Sequence, residues 1–184
     1  KANYGATVDL QFNHIASLVD LKVKKHADLG NATVAITSIA LSNIDNTGTF
    51  TVSDAYTSTP PVTTWSATAS TGAYSNTSGV TSVTLPSDVG TTGDFLINNL
   101  VAMPQTFRTS GAAIQLVTIE YTIEDEDGNV STYAPDPFQL ALFDIVDDTD
   151  NDDTKVGGWE VGKHYTFYIT INSNKIVFTG AITD

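Results

Sequence analysis

Apolar and polar residues alternate along most of the chain, as expected of β-strands whose two faces meet different surroundings. The alternation is clearest in residues 115–123, where every second residue from Val117 to Ile123 is apolar or aromatic. No segment keeps a helical period over three turns, and residues 19–29, which come nearest, fit an edge strand as well. The pattern predicts strands at residues 7–12, 18–23, 32–41, 48–52, 63–67, 80–85, 95–102, 115–123, 138–146, 164–171 and 175–182.

Turn-forming residues interrupt this pattern at short intervals. Turns are predicted at residues 43–46, 127–129 and 172–174, the last as a hairpin into the final strand. Roughly ten short strands joined in this way indicate an all-β fold, either a sandwich or a barrel. Residues 53–93, rich in Ser, Thr and Gly, are predicted to form long surface loops with one or two weak strands.

Length and composition favour one folded domain over residues 1–184. The chain is 41% hydrophobic and 16% charged, and no change of composition marks a linker between two cores. Cysteine is absent, which excludes disulfides, thiolate metal sites and a thiol nucleophile. The chain starts at Lys1 and contains no signal peptide and no apolar run of about 18 residues, so we expect no membrane insertion.

The net charge of −13 restricts the partners of the chain. A surface this acidic repels nucleic acid and anionic lipid headgroups, so nucleic-acid binding is not expected. Acidity is compatible with high solubility, with cation binding or with a basic partner.

The sequence contains no recognisable catalytic motif. There is no Gly-x-Ser-x-Gly elbow, and none of His14, His26 and His164 has a nucleophile and a carboxylate at a familiar spacing. Paired carboxylates of the glycosidase kind need one buried acid, and only Glu120 and Glu160 are expected near strand cores. We predict that the chain is not an enzyme.

An acidic run offers a candidate metal site. Asp148, Asp150 and Asp152 alternate along residues 144–154, and alternating carboxylates on a curled loop suit Ca²⁺. The calcium-loop pattern needs Gly and Glu at its sixth and twelfth positions, where the chain has Asp153 and Trp159. A solvated loop beyond residue 146 is the competing interpretation, and no other cofactor is expected. Residues 125–128 form a similar acidic fragment that fits a hairpin turn equally well.

Two aromatic residues stand in polar surroundings. Tyr56 and Trp65 lie in the Ser/Thr-rich stretch, where an aromatic side chain is hard to explain as core. They are candidate contacts for a ligand such as a sugar, with Trp159 and Tyr165 flanking a strand start elsewhere. Packing against the base of a loop is the alternative.

Three stretches, in the same order and spacing, resemble the second domain of the fimbrillins of Bacteroidetes. They are residues 8–19, which contain a Leu-x-Phe-x-His pattern; residues 103–107, an apolar–Pro–Gln step that follows the apolar residues 100–101; and residues 159–169, which begin with a Trp-x-x-Gly-Lys-x-Tyr pattern. The resemblance extends over nearly the whole chain.

The resemblance implies a transthyretin-like β-sandwich of Greek-key, mostly antiparallel strands. It implies a subunit or adhesin of type V pili or related fimbriae at the cell surface, associated with the outer membrane and exported by a precursor signal that is not in this chain. In that family the precursor is a lipoprotein, and a trypsin-like protease removes an N-terminal strand so that a strand from the next subunit replaces it. The N-terminal domain with the lipobox and the cleavage site is expected to lie outside this chain.

The resemblance also implies partners. These are other pilin subunits, in a homopolymer or with accessory fimbrial proteins, and a host or bacterial surface glycan or protein. The last strand carries Ile176, Phe178 and Ile182, which could either fill a neighbour's groove as a donor strand or complete the domain's own sheet. The alternative function is a glycan- or ligand-binding β-sandwich module of a larger surface protein.

Overall fold

The computed structural model of the chain describes residues 14–52, 63–67, 71–76, 94–145, 156–173 and 176–183. Within these ranges the fold is all β, apart from two single-turn 3-10 helices at Ala27–Leu29 and Leu140–Leu142. The strands are β1 (Ser17–Lys25), β2 (Thr33–Asp45), β3 (Gly48–Val52), β4 (Thr63–Ala67), β5 (Thr71–Asn76), β6 (Asp94–Ala102), β7 (Gln105–Thr106), β8 (Leu116–Glu124), β9 (Val130–Tyr133), β10 (Phe138–Gln139), β11 (Asp144–Ile145), β12 (Gly158–Trp159), β13 (His164–Ile171) and β14 (Ile176–Thr183).

Two larger sheets and two strand pairs contain all of the described strands. The first sheet has the order β11-β14-β13-β1-β6, and the second has the order β10-β8-β2-β5, with β9 following β10 along the same side of β8. The two pairs are β12 with β7 and β3 with β4. Pairing is antiparallel except between β1 and β13 and between β11 and β14. The predicted all-β, mostly antiparallel class is therefore confirmed.

Alternate residues of both sheets contribute to one hydrophobic core. In β13 the burial alternates strictly, so that Tyr165, Phe167, Ile169 and Ile171 point inward. A strand with this period buries every second side chain, and each large one contributes about 1.5–3 kcal/mol when fully buried. The other strands add the same kind of residue, namely Val19, Leu21 and Val23 of β1, Val34, Ile36, Ile39, Leu41 and Ile44 of β2, and Val117, Ile119 and Tyr121 of β8.

Residues 138–145, the described part of the strand predicted at 138–146, instead cross from the second sheet to the first. β10 pairs with β8, the Leu140–Leu142 turn follows, and β11 then pairs with β14. The prediction of a single strand was wrong because its apolar residues are buried in a different way. Leu140 and Ala141 are buried within the turn and Phe143 directly after it, where the chain passes from one sheet to the other. Apolar composition alone does not distinguish the two cases.

Phe143 lies at the centre of an aromatic cluster that joins the two sheets. Its ring packs against Phe138, Phe167 and Phe178 with centroid distances of 5.0, 4.9 and 5.1 Å. Phe138 and Phe178 also stack on each other at 4.0 Å. Edge-to-face and offset stacked geometries of this kind add to the stabilisation that burial provides.

The predicted turn at residues 43–46 was wrong, because β2 continues to Asp45. Asn43 adopts a left-handed conformation with φ of 59°, at a bulge in the pairing of β2 with β5. Asn tolerates this region, and its Nδ2 donates a hydrogen bond to the Ile114 carbonyl at 2.8 Å. The polar residues therefore mark a bulge inside a long strand.

β1 is an inner strand between β13 and β6, although its lysines suggested an edge. The Lys22 ammonium lies over the Phe95 ring at 4.3 Å, and that of Lys24 lies over Tyr168 at 4.4 Å. Lysines on the outer face of a sheet can lay their stems over apolar rings and keep the charge in water. β5 and β9 were not predicted individually, and the predicted strands 7–12 and 80–85 lie outside the described residues.

We expect Phe143→Ala to lower the free energy of unfolding by about 3–5 kcal/mol, because it leaves a cavity among the three rings that pack against it. Phe95→Ala is the matched control, since Phe95 is 48% exposed on the outer face. We expect that change to cost less than about 1 kcal/mol. Urea unfolding of the two variants measures the difference, and equal losses would contradict the assigned core.

Candidate functional site

The described residues of the three stretches singled out in the sequence meet at one end of the fold. The Gly162 N–H donates to the Ala16 carbonyl at 3.1 Å, and the Ser17 hydroxyl donates to the Glu160 carbonyl at 2.6 Å. The second stretch joins them through β7, in which Gln105 pairs with Trp159. Residues separated by more than 50 positions in the sequence are thus hydrogen-bonded neighbours.

The pairing of β12 with β7 depends on a glycine at position 158. A Cβ atom there would lie 2.2 Å from the Gln105 carbonyl oxygen, so no other residue fits without moving the backbone. This close approach brings Trp159 against Phe107, whose ring meets the indole edge-on at 5.3 Å. The Phe107 N–H also donates to the Gly157 carbonyl at 2.9 Å, which extends the contact.

Gln105 is the centre of a buried polar network behind this pair. Its Oε1 accepts from the Asp45 N–H at 3.0 Å, and its Nε2 donates to the Met103 carbonyl at 3.1 Å. Gln115, which is fully buried, accepts the Arg108 N–H on its Oε1 at 2.8 Å. Buried amides satisfied in this way connect the end of β2 with β7 and the start of β8.

A charged pair completes the network. One guanidinium nitrogen of Arg108 donates to both carboxylate oxygens of Asp45 at 2.8 and 2.9 Å, while the other donates to the Ala113 carbonyl at 3.3 Å. Asp45 is buried and Arg108 is about one-third exposed. The pair leaves this part of the site without a net charge.

A cleft of about 740 Å³ opens between these elements. Its walls include Trp65, Gln105, Trp159, Glu160, Tyr165 and Ile182.

A second hollow of about 360 Å³, lined in part by Tyr74, Val101 and Met103, also borders Trp65. Trp65 therefore separates two adjoining depressions. Its Nε1 donates to the Ile15 carbonyl at 2.6 Å, and its ring packs on Phe50 with a centroid distance of 5.2 Å.

The polar groups of the cleft differ in burial and in hydrogen bonding. The Tyr165 hydroxyl accepts the Glu160 N–H at 2.9 Å, and burial raises the pKa of this phenol above its usual value. The Glu160 side chain is exposed. The indole Nε1 of Trp159 is buried and has no hydrogen-bond partner among the described residues.

The structure places the predicted site residues in different surroundings. Trp65, in the middle of β4, packs on Phe50 and also lines the cleft, and its role as a ligand contact stays a prediction. Ile176, Phe178 and Ile182 are half-buried in β14, which pairs with β13 along its whole length. The donor role of these three residues stays a prediction.

The other predicted site residues, Tyr56 and the calcium candidates Asp148, Asp150 and Asp152, lie outside the described residues. Sequence reasoning missed the Asp45–Arg108 pair and the role of Gln105. The apolar–Pro–Gln motif drew attention to Gln105, but the sequence did not indicate which residues its side chain contacts.

The described ranges contain no cluster of three metal-ligating side chains, and none of their helices is long and apolar enough to cross a bilayer. The acidic fragment at residues 125–128 forms a turn. The Gly128 N–H donates to the Asp125 carbonyl at 3.1 Å, and Gly128 has a φ of 82°. The Asp125 carboxylate accepts hydrogen bonds from the side chain and the N–H of Asn129 and from the N–H of Asp127, which hold its pKa below the usual value.

Comparison with known proteins gives a family match over the whole chain. A family model described as fimbrillin-like matches residues 1–184. None of the curated proteins matches the sequence significantly.

Among solved structures, a fimbrial protein from Bacteroides vulgatus matches with a TM-score of 0.55 and 17% identity, over 93% of this chain and 54% of that one. This match shows a shared fold. Candidate cell adhesion proteins from Bacteroides uniformis and Bacteroides ovatus match with TM-scores of 0.36 and 0.37 and identities of 15% and 12%. These two matches cover 94% of this chain each, and 51% and 45% of the other chains. The chain thus spans about half the length of the structures it matches.

We expect Arg108→Ala to lower the free energy of unfolding by about 2–4 kcal/mol, because it leaves the buried Asp45 carboxylate unpaired. Arg108→Lys keeps the positive charge but loses the two hydrogen bonds to the carboxylate, so it should lower the free energy of unfolding less than Arg108→Ala does. The double variant Arg108→Ala/Asp45→Asn should recover part of the loss, since no lone buried charge remains. Urea unfolding measures these three variants and Asp45→Asn alone, and a loss in the double variant equal to the sum of the two single losses would contradict the pairing.

We expect Asn129→Ala to raise the pKa of Asp125 towards its ordinary value of 3.8. The Asn129 side chain is the largest cause of the lowering, since its hydrogen bonds favour the carboxylate. These bonds stabilise the turn above the ordinary pKa and are lost as the pH falls through the lower, folded value. Carboxyl ¹³C NMR titration measures the change. Asn31→Ala, which removes a bond to Glu126 instead, is the control and should leave the Asp125 pKa unaltered.

Proposed function

Because the chain belongs to the fimbrillin-like family, we propose that it is a structural subunit or adhesin of bacterial surface fimbriae. The match to all 184 residues is the observation that carries the proposal. The family comprises fimbrial and adhesion proteins and is not an enzyme family, so the prediction that the chain is not an enzyme is confirmed. Membership implies a location at the cell surface, and we propose association with the outer membrane.

We propose that the two larger sheets form a transthyretin-like Greek-key sandwich. Their shared core and the crossing of residues 138–145 from one sheet to the other support this arrangement. A fold of two facing sheets leaves edge strands at its sides, and those edges are where a further strand can add.

The proposed mechanism of assembly is donor-strand exchange after proteolysis. Among the described strands, β6 has one hydrogen-bonded neighbour, β1, and presents Phe95 and Val101 to solvent. An edge of nine residues with exposed apolar side chains favours strand addition. The proposed partners are other pilin subunits, either as a homopolymer or as accessory fimbrial proteins.

β14 is the candidate donor strand. Ile176, Phe178 and Ile182 are half-buried residues of a strand, the pattern that a groove-filling strand needs. In this chain β14 lies between β13 and β11, and Phe178 belongs to the aromatic cluster. Donation therefore requires β14 to leave its own sheet, and a covalent lock between β13 and β14 would prevent it.

We expect limited trypsin cleavage of the full-length gene product to produce filaments, visible by negative-stain electron microscopy. The lock is Thr170→Cys/Val177→Cys, a directly opposed pair of β13 and β14 in a chain without cysteine. The oxidised variant should form no filaments, and a reductant should restore them. The two single-cysteine variants are controls and should behave as wild type.

Different outcomes of this experiment test the donor role of β14 and the fimbrial role of the chain separately. Filaments from the oxidised double variant would exclude β14 as donor and leave the fimbrial role intact. Filaments that vanish when residues 176–184 are removed, but persist with the lock, would point to a stabilising role of β14. The absence of filaments under every condition would contradict a shaft role.

A further inference from the structure

The cleft beside β12 collects side chains from elements that are distant in the sequence. Trp65 comes from β4, Trp159 from β12 and Tyr165 from β13, and Glu160 directly follows β12. A concave site of about 740 Å³ lies within the range of about 300–1,000 Å³ typical of small-ligand pockets. Aromatic walls with a few convergent polar groups are the usual composition of such pockets.

The indole N–H of Trp159 gives a second, independent indication. Trp159 is 2% exposed, and its Nε1 has no partner among the described residues. Buried donors are paired in the great majority of structures, because an unpaired one retains the full cost of its desolvation. Trp159 lines the cleft, but its Nε1 is itself covered, so the wall of the cleft must shift slightly before a ligand oxygen can accept this hydrogen bond.

The charges of the cleft disfavour an anionic ligand. Asp45 is neutralised by Arg108, which leaves Glu160 as the unneutralised carboxylate among the lining residues. A single exposed carboxylate accepts hydrogen bonds from hydroxyl groups and repels anions. The ligand must therefore offer O–H donors for Glu160, an oxygen acceptor for Trp159 and an apolar face for the Trp65 ring.

We propose that this cleft binds a neutral carbohydrate, in which one sugar unit packs its C–H face on Trp65, accepts from the Trp159 Nε1 and donates a hydroxyl to Glu160. A sugar carries all three features on one compact ring. A peptide that adds as a strand needs a longer edge, whereas β7 and β12 are only two residues each. The site requires no filament assembly, so its test is independent of the assembly experiment.

Intrinsic fluorescence tests the proposal directly, since the chain has two tryptophans and both line the cleft. The probes are maltotriose, mannotriose, galactotriose and chitotriose, each titrated into the wild-type chain. We expect a saturable change of emission with at least one probe. Trp65→Phe and Trp159→Phe each leave a single emitter, and the remaining indole should still respond.

Affinity changes in variants locate the ligand. Trp159→Phe keeps a large ring and removes the donor, so we expect binding to weaken about fivefold to tenfold, the value of one hydrogen bond. Glu160→Gln, at an exposed position, should weaken it by a similar factor. Trp65→Ala should weaken it further because the stacking surface is lost. Tyr133→Ala, which removes an exposed aromatic ring from β9 outside the cleft, is the matched control and should bind as wild type.

Several results would overturn the proposal. They are no saturable change with any of the four probes, unaltered affinity in Glu160→Gln and Trp65→Ala, and saturable binding of a capped neutral tripeptide in place of the sugars. Circular dichroism establishes that each variant is folded. If Trp159→Phe does not fold, Glu160→Gln and Trp65→Ala decide the question, since both residues are at least partly exposed.

Discussion

The fold at the motif-bearing end depends on one buried side chain, that of Gln105. Its backbone pairs with Trp159, and its amide bonds to the Asp45 N–H and the Met103 carbonyl. A buried amide that satisfies backbone groups of separate segments, here the end of β2 and the link between β6 and β7, fixes their relative position, because any shift would leave a donor or acceptor unpaired. The Asp45–Arg108 pair and the buried Gln115 then surround it with further polar contacts that only this arrangement satisfies.

The aromatic cluster around Phe143 has a comparable role between the sheets. The segment from β10 to β11 crosses between the two sheets, and its rings meet Phe167 and Phe178 of the first sheet. The cluster couples β14 to the core through Phe178, so that the final strand is part of the packing that joins the sheets. Removal of β14 from its sheet, which the proposed donor role requires, would therefore break contacts of this core.

The cleft and the edge of β6 that no described strand covers suit two different kinds of contact. An edge strand can join copies through main-chain hydrogen bonds, which are independent of side-chain identity. A cleft lined by Trp65, Trp159 and Glu160 recognises a ligand by the placement of individual side chains. The two features involve different residues, and a chain with net charge −13 would keep unassembled copies apart until specific contacts form.

The sequence by itself determined the all-β class, most of the longer strands and the fimbrillin-like family, because period-two alternation and short motifs are local properties. It did not distinguish a bulge from a turn at Asn43, or a crossing from a strand at residues 138–146, since polar and apolar composition is the same in both cases. The predicted roles of Tyr56 and of Asp148, Asp150 and Asp152 stay predictions. Only the tertiary structure decided which distant residues meet: the pairing of Gln105 with Trp159, the neutralisation of Asp45 by Arg108 and the cleft that Trp65 shares with Glu160. These contacts join residues more than 50 positions apart, and no local pattern records which strands will lie side by side.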